Sequence, residues 1–223
     1  MKNILDIDIL EIGINGPDFL AEKILLAKQG GPVCGVDEVG RGPLAGPVVA
    51  AAVILDPNNI PKGLDDSKKL SAKKRALLFD IIMETALAVS VAEASVEEID
   101  DINILQASML AMRRAVNSLP IKARSVLVDG NSDPGFDLPT LCLIKGDGRS
   151  FSIAAASIIA KKIRDEKMAK LAKIYPDYGW EKNAGYGVPA HMKGLGLVGI
   201  TPFHRKSFAP ISKILNEDSD ATN

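Results

Sequence analysis

Four acidic residues lie at glycine-flanked positions where strands are predicted to end. Asp37 and Glu38 close the first predicted strand, Asp129 closes the fourth, and Asp147 follows the fifth. Clustered carboxylates repel one another unless a cation lies between them, and hard divalent ions such as Mg²⁺ prefer oxygen ligands. Two such ions about 3.5–4 Å apart can bind the attacking water and the leaving oxygen of a phosphodiester. The four acids are therefore candidate metal ligands, although a single Asp before a glycine is also a common turn residue.

The adjacent pair Asp37 and Glu38 sets a geometric condition on such a site. Neighbouring side chains on a regular strand point to opposite faces of the sheet. The two carboxylates share one pocket only if the chain kinks or bulges at this point, and Gly40 close behind favours this. We therefore expect an irregularity at the end of the first strand.

Two short segments offer groups that suit a phosphate. In the first, Gly40 and Gly42 have no Cβ, so their backbone can approach a ligand closely, and Arg41 between them has a forked guanidinium. In the second, Ser67 and Lys68 precede a predicted helix and offer a hydroxyl and an ammonium to a nucleic-acid backbone. The alternatives are a tight turn with a solvated arginine and a capped helix start with solvated lysines.

Composition excludes several other classes of protein. The 223 residues carry 27 Lys and Arg against 28 Asp and Glu, so any affinity for nucleic acid must come from a local patch. The longest nearly apolar run, residues 44–55, is shorter than the roughly 18 residues of a membrane span, and the first ten residues lack the pattern of a secretory signal. The two cysteines and two histidines lack zinc-site spacing. We expect a cytoplasmic protein without membrane attachment.

The C-terminal third carries a local basic excess. Residues 161–206 contain ten Lys and Arg but four Asp and Glu, and one twelve-residue window holds Tyr175, Tyr178, Trp180 and Tyr186. Basic residues beside aromatic rings suit contact with a nucleic-acid backbone and stacking on bases or sugars. The alternative is an aromatic mini-core that anchors a loop, with the basic residues solvated.

The elements that must position these residues alternate between strands and helices. Apolar runs predict five strands, over residues 33–37, 48–55, 87–94, 125–129 and 141–144. Helical periodicity appears over residues 17–28, 71–86, 96–118 and 151–173, with a break near Asp101. The short Gly/Pro loop between the first two strands favours an antiparallel hairpin, and Ser95 with Glu98 forms a capping box. The pattern predicts one mixed sheet between helices, followed by a C-terminal appendage.

These motifs, taken in series, resemble bacterial ribonuclease HII. The resemblance begins with Cys34-Gly35-Val36-Asp37-Glu38-Val39-Gly40-Arg41-Gly42-Pro43 and continues to Val48. It then passes through residues 66–70, 128–130, 145–147, 152–158, 164–165, 185–186 and 204–208. The segments follow the family's order and cover most of the chain, so the resemblance is highly specific.

The resemblance implies a fold and an activity. The fold is α/β, a ribonuclease H-like five-stranded mixed sheet with helices on both faces and a helical C-terminal part. The activity is Mg²⁺- or Mn²⁺-dependent endonucleolytic cleavage of the RNA strand of RNA–DNA hybrids, and cleavage 5′ to a single ribonucleotide embedded in duplex DNA. The products implied are 3′-hydroxyl and 5′-phosphate ends.

The resemblance also implies roles for single residues. The catalytic metal ligands would be Asp37, Glu38, Asp129 and Asp147. The 2′-hydroxyl of the ribonucleotide and the adjacent phosphate would be contacted by Gly40, Arg41 and Gly42. Tyr186 would stack on the sugar at the RNA–DNA junction, whereas Val188 stands where members of the family often have Thr.

We expect three regions along the chain. They are an N-terminal helical extension (1–32), a catalytic core (33–173) and a basic, aromatic substrate-binding segment (174–223) that packs on the core and frays from Asn216 onward. The expected partner is an RNA–DNA hybrid or ribonucleotide-containing duplex DNA, with a monomeric enzyme and no obligate protein partner. Two alternatives stay open: a hybrid-binding module without catalysis, and a different nuclease on the same fold, such as a junction resolvase.

Overall fold

A mixed five-stranded sheet forms the centre of the fold. The computed structural model describes residues 9–220. Its strands are β1 Val33–Val39, β2 Val48–Ile54, β3 Ala88–Ala94, β4 Ser125–Asp129 and β5 Thr140–Leu143, in the order β3-β2-β1-β4-β5. β2 pairs antiparallel with both β1 and β3, whereas β4 runs parallel to both β1 and β5. The predicted mixed sheet and its opening hairpin are confirmed.

Helices cover both faces of this sheet. Within the described residues the α-helices are α1 Leu20–Gln29, α2 Ala72–Thr85, α3 Val96–Asn117, α4 Phe151–Ile174, α5 Trp180–Asn183, α6 Pro189–Val198 and α7 Ala209–Asp220. α3 packs on one face, where Ala107 and Ala111 meet Val36 of β1. α1, α2 and α4 pack on the other face. The predicted layer arrangement is therefore confirmed.

Small side chains let α4 approach the sheet closely. Residues 154–156 are three fully buried alanines that pack with Ala51 and Val53 of β2. Gly35 in β1 lies directly under α4, and a Cβ at this position would come within 2.5 Å of the carbonyl oxygen of Ser152. This close packing fixes α4 against the strand that carries Asp37.

Helix ends follow the predicted signals, with two differences. Ser95 and Glu98 form the capping box at the start of α3. The predicted break in α3 lies two residues later than expected, at Asn103, whose φ of 66° interrupts the helix and whose side chain accepts hydrogen bonds from the next turn. α7 continues to Asp220, so a helix extends into the segment that we expected to fray from Asn216.

The C-terminal helices pack on the core through their own apolar cluster. Tyr178 and Trp180 are buried against Leu44 of the β1–β2 loop and Met168 of α4. The N-terminal segment also packs on the core, because Ile12 and the inner face of α1 lie against β1, β4 and β5. None of the helices in residues 9–220 has the length and apolar character needed to cross a membrane.

Candidate active site

The predicted acids meet at the edge of the sheet where β1, β4 and β5 end. β1 and β4 run parallel, and their register makes Asp37 and Asp129 neighbours. β5 is parallel to β4 and is followed by a 3₁₀ turn, Gly146–Gly148, that carries Asp147. The N–H of Gly146 donates to Oδ1 of Asp129 at 2.6 Å, so this turn is bonded to the end of β4.

Asp129 links two acids that point to opposite faces of the sheet. β1 pairs regularly with β2 as far as Val39, so the expectation of a bulge at Asp37 and Glu38 is wrong. Asp37 is buried on the side of α4, whereas Glu38 lines a small cleft beside α3 together with Asp129. Glu38 and Asp129 both raise the pKa of Asp37, and Asp129 also raises that of Glu38. The three carboxyls therefore lie within electrostatic reach of one another although β1 is regular at this point.

Each of the four acids has a raised pKa. Burial is the largest cause throughout: it raises the pKa of Asp37 well above its ordinary value, that of Glu38 to about 7 and that of Asp147 to about 6. Repulsion adds to burial, since Asp37 faces the other three carboxyls and Asp147 faces Asp129. Burial also raises the pKa of Asp129, although the hydrogen bond from Gly146 partly opposes this.

The donor set fits a hard divalent cation. Across residues 9–220, no three His, Cys, Asp or Glu side chains are already arranged to hold a metal ion. The four carboxyls nevertheless offer only oxygen ligands, and a cation among them would offset both the cost of burying their charges and the repulsion between them. The chemistry of the residues present therefore fits a hard divalent cation.

A second cleft, of about 580 Å³, opens beside the Asp147 turn and is lined with basic side chains. It contains Lys68, Lys69, Lys145 and Arg149 together with Asp129 and Asp147. Burial lowers the pKa of Lys68, but the nearby carboxyls, Asp147 first, outweigh this effect and raise it overall. Lys68 thus lies beside the acids, as a phosphate contact in the active site requires.

Two residues just before Lys68 have roles that the sequence did not predict: Asp66 joins the acids, and Ser67 is buried. Asp66 also lines the cleft and adds to burial in raising the pKa of Asp147, which makes it a fifth acid that the strand-end pattern missed because it lies in a loop. Ser67 is buried, and its hydroxyl accepts a hydrogen bond from Ser157 Oγ at 2.8 Å. The expectation of a direct phosphate contact by Ser67 does not fit this position, because its hydroxyl supports α4 from inside.

The loop that contains Gly40, Arg41 and Gly42 adjoins the Glu38 cleft. Arg41 is half exposed, and its Nη1 lies 3.6 Å from Oε1 of Glu38. Gly40 has a φ of 104°, which favours glycine, and a Cβ here would lie 2.9 Å from the carbonyl oxygen of Pro47. Tyr186 is 46% exposed and lies against this loop, with Cε1 3.3 Å from the Cβ position of Gly42. The structure therefore brings these predicted substrate-binding residues together.

Two fully buried arginines hold this loop, and sequence reasoning missed both. Arg205 donates to the carbonyl oxygens of Gly40, Arg41 and Gly46 at 2.5–3.0 Å. Arg164 donates to the carbonyls of Pro47, Ala45 and Ala184, which joins the loop to the segment before Tyr186. Counting both as part of a basic surface patch was wrong, because their donors are used inside the protein. The only sequence signal for Arg164 and Arg205 was that they lie in segments that carry the family resemblance.

The aromatic window separates into a core and one exposed ring. Tyr178 and Trp180 stack at 4.9 Å between ring centroids and are buried. Trp180 Nε1 donates to His191 Nε2 at 3.1 Å, and His191 Nδ1 lies 3.0 Å from the carbonyl oxygen of Tyr186. The mini-core alternative is therefore right for Tyr178 and Trp180. Tyr186 alone of these four is left exposed beside the glycine loop, and the mini-core fixes its backbone.

Val188 begins α6 without a capping side chain. It occupies the N-cap position with extended backbone angles, and no side-chain hydrogen bond caps the helix there. The position is 39% exposed and lies two residues after Tyr186. The valine side chain offers no hydroxyl for capping or for contact with a ligand.

The sheet order and the acids at its edge define a ribonuclease H-like protein. The crystal structure of ribonuclease H2 from Pyrococcus horikoshii OT3 is similar, with a TM-score of 0.72, 29% sequence identity, and coverage of 84% of this chain and 98% of that one. The ribonuclease HII family model matches residues 34–211. Relatives include ribonuclease HII of Ruegeria pomeroyi, 56% identical over 92% of this chain and 88% of the relative, and that of Dechloromonas aromatica, 59% identical over 83% and 95%. The chain belongs to the ribonuclease HII family. It is therefore a nuclease, and the alternative of a binding module without catalysis is set aside.

Proposed function

We propose that this ribonuclease hydrolyses the RNA strand of RNA–DNA hybrids and also nicks duplex DNA on the 5′ side of a single embedded ribonucleotide. The products are a 3′-hydroxyl and a 5′-phosphate. The observation that carries the proposal is the juxtaposition of the four acids with the Gly40–Gly42 loop and the exposed ring of Tyr186. One edge of the sheet thus holds both hydrolytic groups and groups suited to recognising a sugar and its phosphate.

Asp37, Glu38, Asp129 and Asp147 are proposed to hold two Mg²⁺ or Mn²⁺ ions. When bound, such ions activate the attacking water and neutralise the departing 3′-oxyanion. The protein contributes a buried set of carboxyl oxygens whose pKa values are raised first by burial and then by repulsion from neighbouring carboxyls. Lys68 contributes a positive charge at the rim, where it offsets the repulsion between these acids and the phosphate of the substrate.

Recognition of the ribonucleotide is proposed to come from backbone groups and one ring. RNA differs from DNA at a given position by the 2′-hydroxyl, which both donates and accepts hydrogen bonds. The glycine loop presents its backbone at close range, because Gly42 has no side chain beside the ring of Tyr186 and Arg205 holds the loop from behind. Arg41 is proposed to bind the adjacent phosphate, and Tyr186 to stack on the sugar at the RNA–DNA junction.

A duplex DNA with one ribonucleotide tests the proposal. With Mg²⁺, a nick on the 5′ side of that ribonucleotide is expected, leaving an end that a DNA polymerase can extend, and EDTA is expected to abolish it. Asp129→Asn should lose the activity, whereas Asp133→Asn, the same substitution in the exposed loop that follows, should keep it. Cleavage of hybrids without a nick at the single ribonucleotide would leave the family activity in place and refute the finer proposal.

The cellular setting is also proposed. We place the enzyme in the cytoplasm, acting as a monomer without an obligate protein partner, in the removal of ribonucleotides from DNA. Light scattering of the purified protein is expected to give a mass near the 23.7 kDa of one chain. A stable dimer at micromolar concentration would contradict the monomer.

A further inference from the structure

Glu22 is a fully buried acid outside the site described above. It lies on the inner face of α1, and its Oε1 accepts hydrogen bonds from Ser150 Oγ at 2.6 Å and from the N–H of Ser152 at 2.8 Å. Ser150 is the N-cap of α4, and its hydroxyl in turn accepts from the N–H of Ile153. Glu22 therefore satisfies donors at the start of α4 that the helix itself leaves unpaired.

The backbone of the N-terminal segment binds the same short stretch. Asp18 accepts from the N–H of Phe151 at 2.9 Å, and its own N–H donates to the carbonyl of Arg149 at 3.2 Å. Arg149 Nε donates to the carbonyl of Ile12 at 3.1 Å. Gly13, with a φ of 64°, lies so close that a Cβ would be 2.7 Å from the carbonyl oxygen of Arg149. Residues 12–22 thus contact residues 149–152 through several hydrogen bonds and one close backbone approach.

Residues 149–152 follow directly after the turn that carries Asp147. The N–H groups of Arg149 and Ser150 both donate to the carbonyl of Gly146, at 2.9 and 2.8 Å. The N–H of Gly146 donates to Asp129 Oδ1. A continuous path of hydrogen bonds therefore leads from Glu22 through Ser150 and Gly146 to the acids at the sheet edge.

We propose that Glu22 is a positioning residue for the metal site: it fixes the start of α4 and thereby the turn that carries Asp147 and bonds Asp129. The inference rests on the proposed function, because it takes Asp129 and Asp147 as metal ligands. The family model matches from residue 34 onward, so residues 12–22, which include Glu22, lie outside the matched region.

The energetic cost of Glu22 supports a specific role. Its side chain is fully buried, its Oε2 has no hydrogen-bond partner among the described residues, and burial raises its pKa. An apolar side chain would avoid the penalty of burying a polar oxygen without a partner. What an apolar side chain cannot do is accept the two hydrogen bonds at the start of α4.

Mn²⁺ binding to the intact protein without substrate tests the inference, measured by the electron paramagnetic resonance signal of free Mn²⁺. Glu22→Leu is expected to weaken Mn²⁺ binding about 10-fold, the size seen when groups that orient metal ligands are removed. Glu22→Gln keeps an acceptor oxygen and is expected to stay within about 2-fold of wild type, because rescue by the conservative variant follows from a hydrogen-bonding role.

Ile82→Val and Ile82→Ala are the matched controls, because Ile82 is fully buried in α2, away from the Asp147 turn. The two variants lose different amounts of stability, so together they bracket the loss expected for Glu22→Leu. If Glu22→Leu does not fold, Ser150→Ala removes the bridging hydroxyl and is expected to weaken Mn²⁺ binding in the same direction. Unchanged Mn²⁺ binding in folded Glu22→Leu or Ser150→Ala would overturn the inference, as would equal weakening in an Ile82 control of the same stability. Wild-type protein that binds no Mn²⁺ would refute the proposed metal site itself, and the inference with it.

Discussion

Replacing Glu38 with Gln is predicted to stabilise the metal-free protein at pH 8 while abolishing efficient hydrolysis. In the folded protein, burial is the main reason that the pKa of Glu38 rises from 4.5 to about 7, with the ion pair to Arg41 opposing it and Asp129 adding to it. Ionising this carboxyl therefore works against folding, and a neutral amide of the same shape removes that cost.

The magnitude follows from proton linkage. A folded-state pKa of about 7 against 4.5 in the unfolded chain corresponds to roughly 3 kcal/mol. Because the folded pKa is the higher one, the contribution of the Glu38 carboxyl to the free energy of unfolding is fully present below pH 4.5 and is lost as the pH rises through about 7. This pKa already includes the opposing effect of the ion pair with Arg41, whose side chain is half exposed, so the loss of that pair is not subtracted again. A gain of about 3 kcal/mol is therefore expected at pH 8, shrinking to about 1 kcal/mol or less at pH 5.

Urea denaturation in EDTA at both pH values measures this gain, and Glu98→Gln is the control. The hydrogen bond from Arg114 is the main cause that lowers the pKa of Glu98, so its stability is present at high pH and lost in acid. Glu98→Gln should therefore destabilise at pH 8, by about 1 kcal/mol or less. Adding Mg²⁺ should stabilise the wild type more than the Glu38 variant. A Glu38→Gln protein that is no more stable than wild type at pH 8, or equally stabilised at pH 5, would refute the reasoning.

Three further predictions concern the frame around the site. Gly35→Ala should lower the free energy of unfolding by about 3 kcal/mol, measured in urea, because its Cβ would overlap the backbone of Ser152 and push α4 off β1. Arg205→Lys should raise KM for the ribonucleotide duplex more than it changes kcat in steady-state assays, because the single nitrogen of an ammonium cannot reproduce the planar fork whose three nitrogens reach three separate loop carbonyls. Val188→Thr should raise the free energy of unfolding by about 1 kcal/mol, because a threonine hydroxyl can cap α6, and this gain should appear as a higher melting temperature. Val198→Thr, at the other end of α6, should give no such gain.

Much of the fold could be predicted because its signals are local. The alternation of strands with helices, the hairpin and the capping box each depend on residues near one another in the sequence. The four strand-end acids could be predicted to converge for the same reason, because the carboxyl ends of parallel strands lie at one edge. Asp37 and Glu38 show the limit: their opposite faces were predictable, but the neighbour that links them, Asp129, lies about 90 residues away and depends on strand order.

Buried charged residues could not be predicted in this way. Arg205 reads as one more member of a basic surface, and only the packing of the C-terminal helices shows that its donors face Gly40 and Gly46. Glu22 reads as the polar face of an amphipathic helix, yet it is on the buried side with its acceptor at the start of α4. Periodicity reports the average polarity of a face and carries no information about a single charged group whose partners come from distant segments.

The separation of buried positive from buried negative charge is itself an argument about function. Within residues 9–220, Arg205 and Arg164 are buried without an ion pair to a carboxylate, and burial lowers their pKa values to about 9 and about 10. A fold built only for stability could pair such arginines with the raised acids nearby, as it pairs Arg114 with Glu98 at 2.6 Å on the surface. Here the arginines bind backbone carbonyls of the loop that contains Gly40 and of the segments beside it. In the described part of the chain, Glu38 is the one member of the four acids with an arginine partner, Arg41 at 3.6 Å. Keeping the acids largely unpaired costs stability, and it leaves their oxygens available to a divalent cation rather than committed to an internal salt bridge.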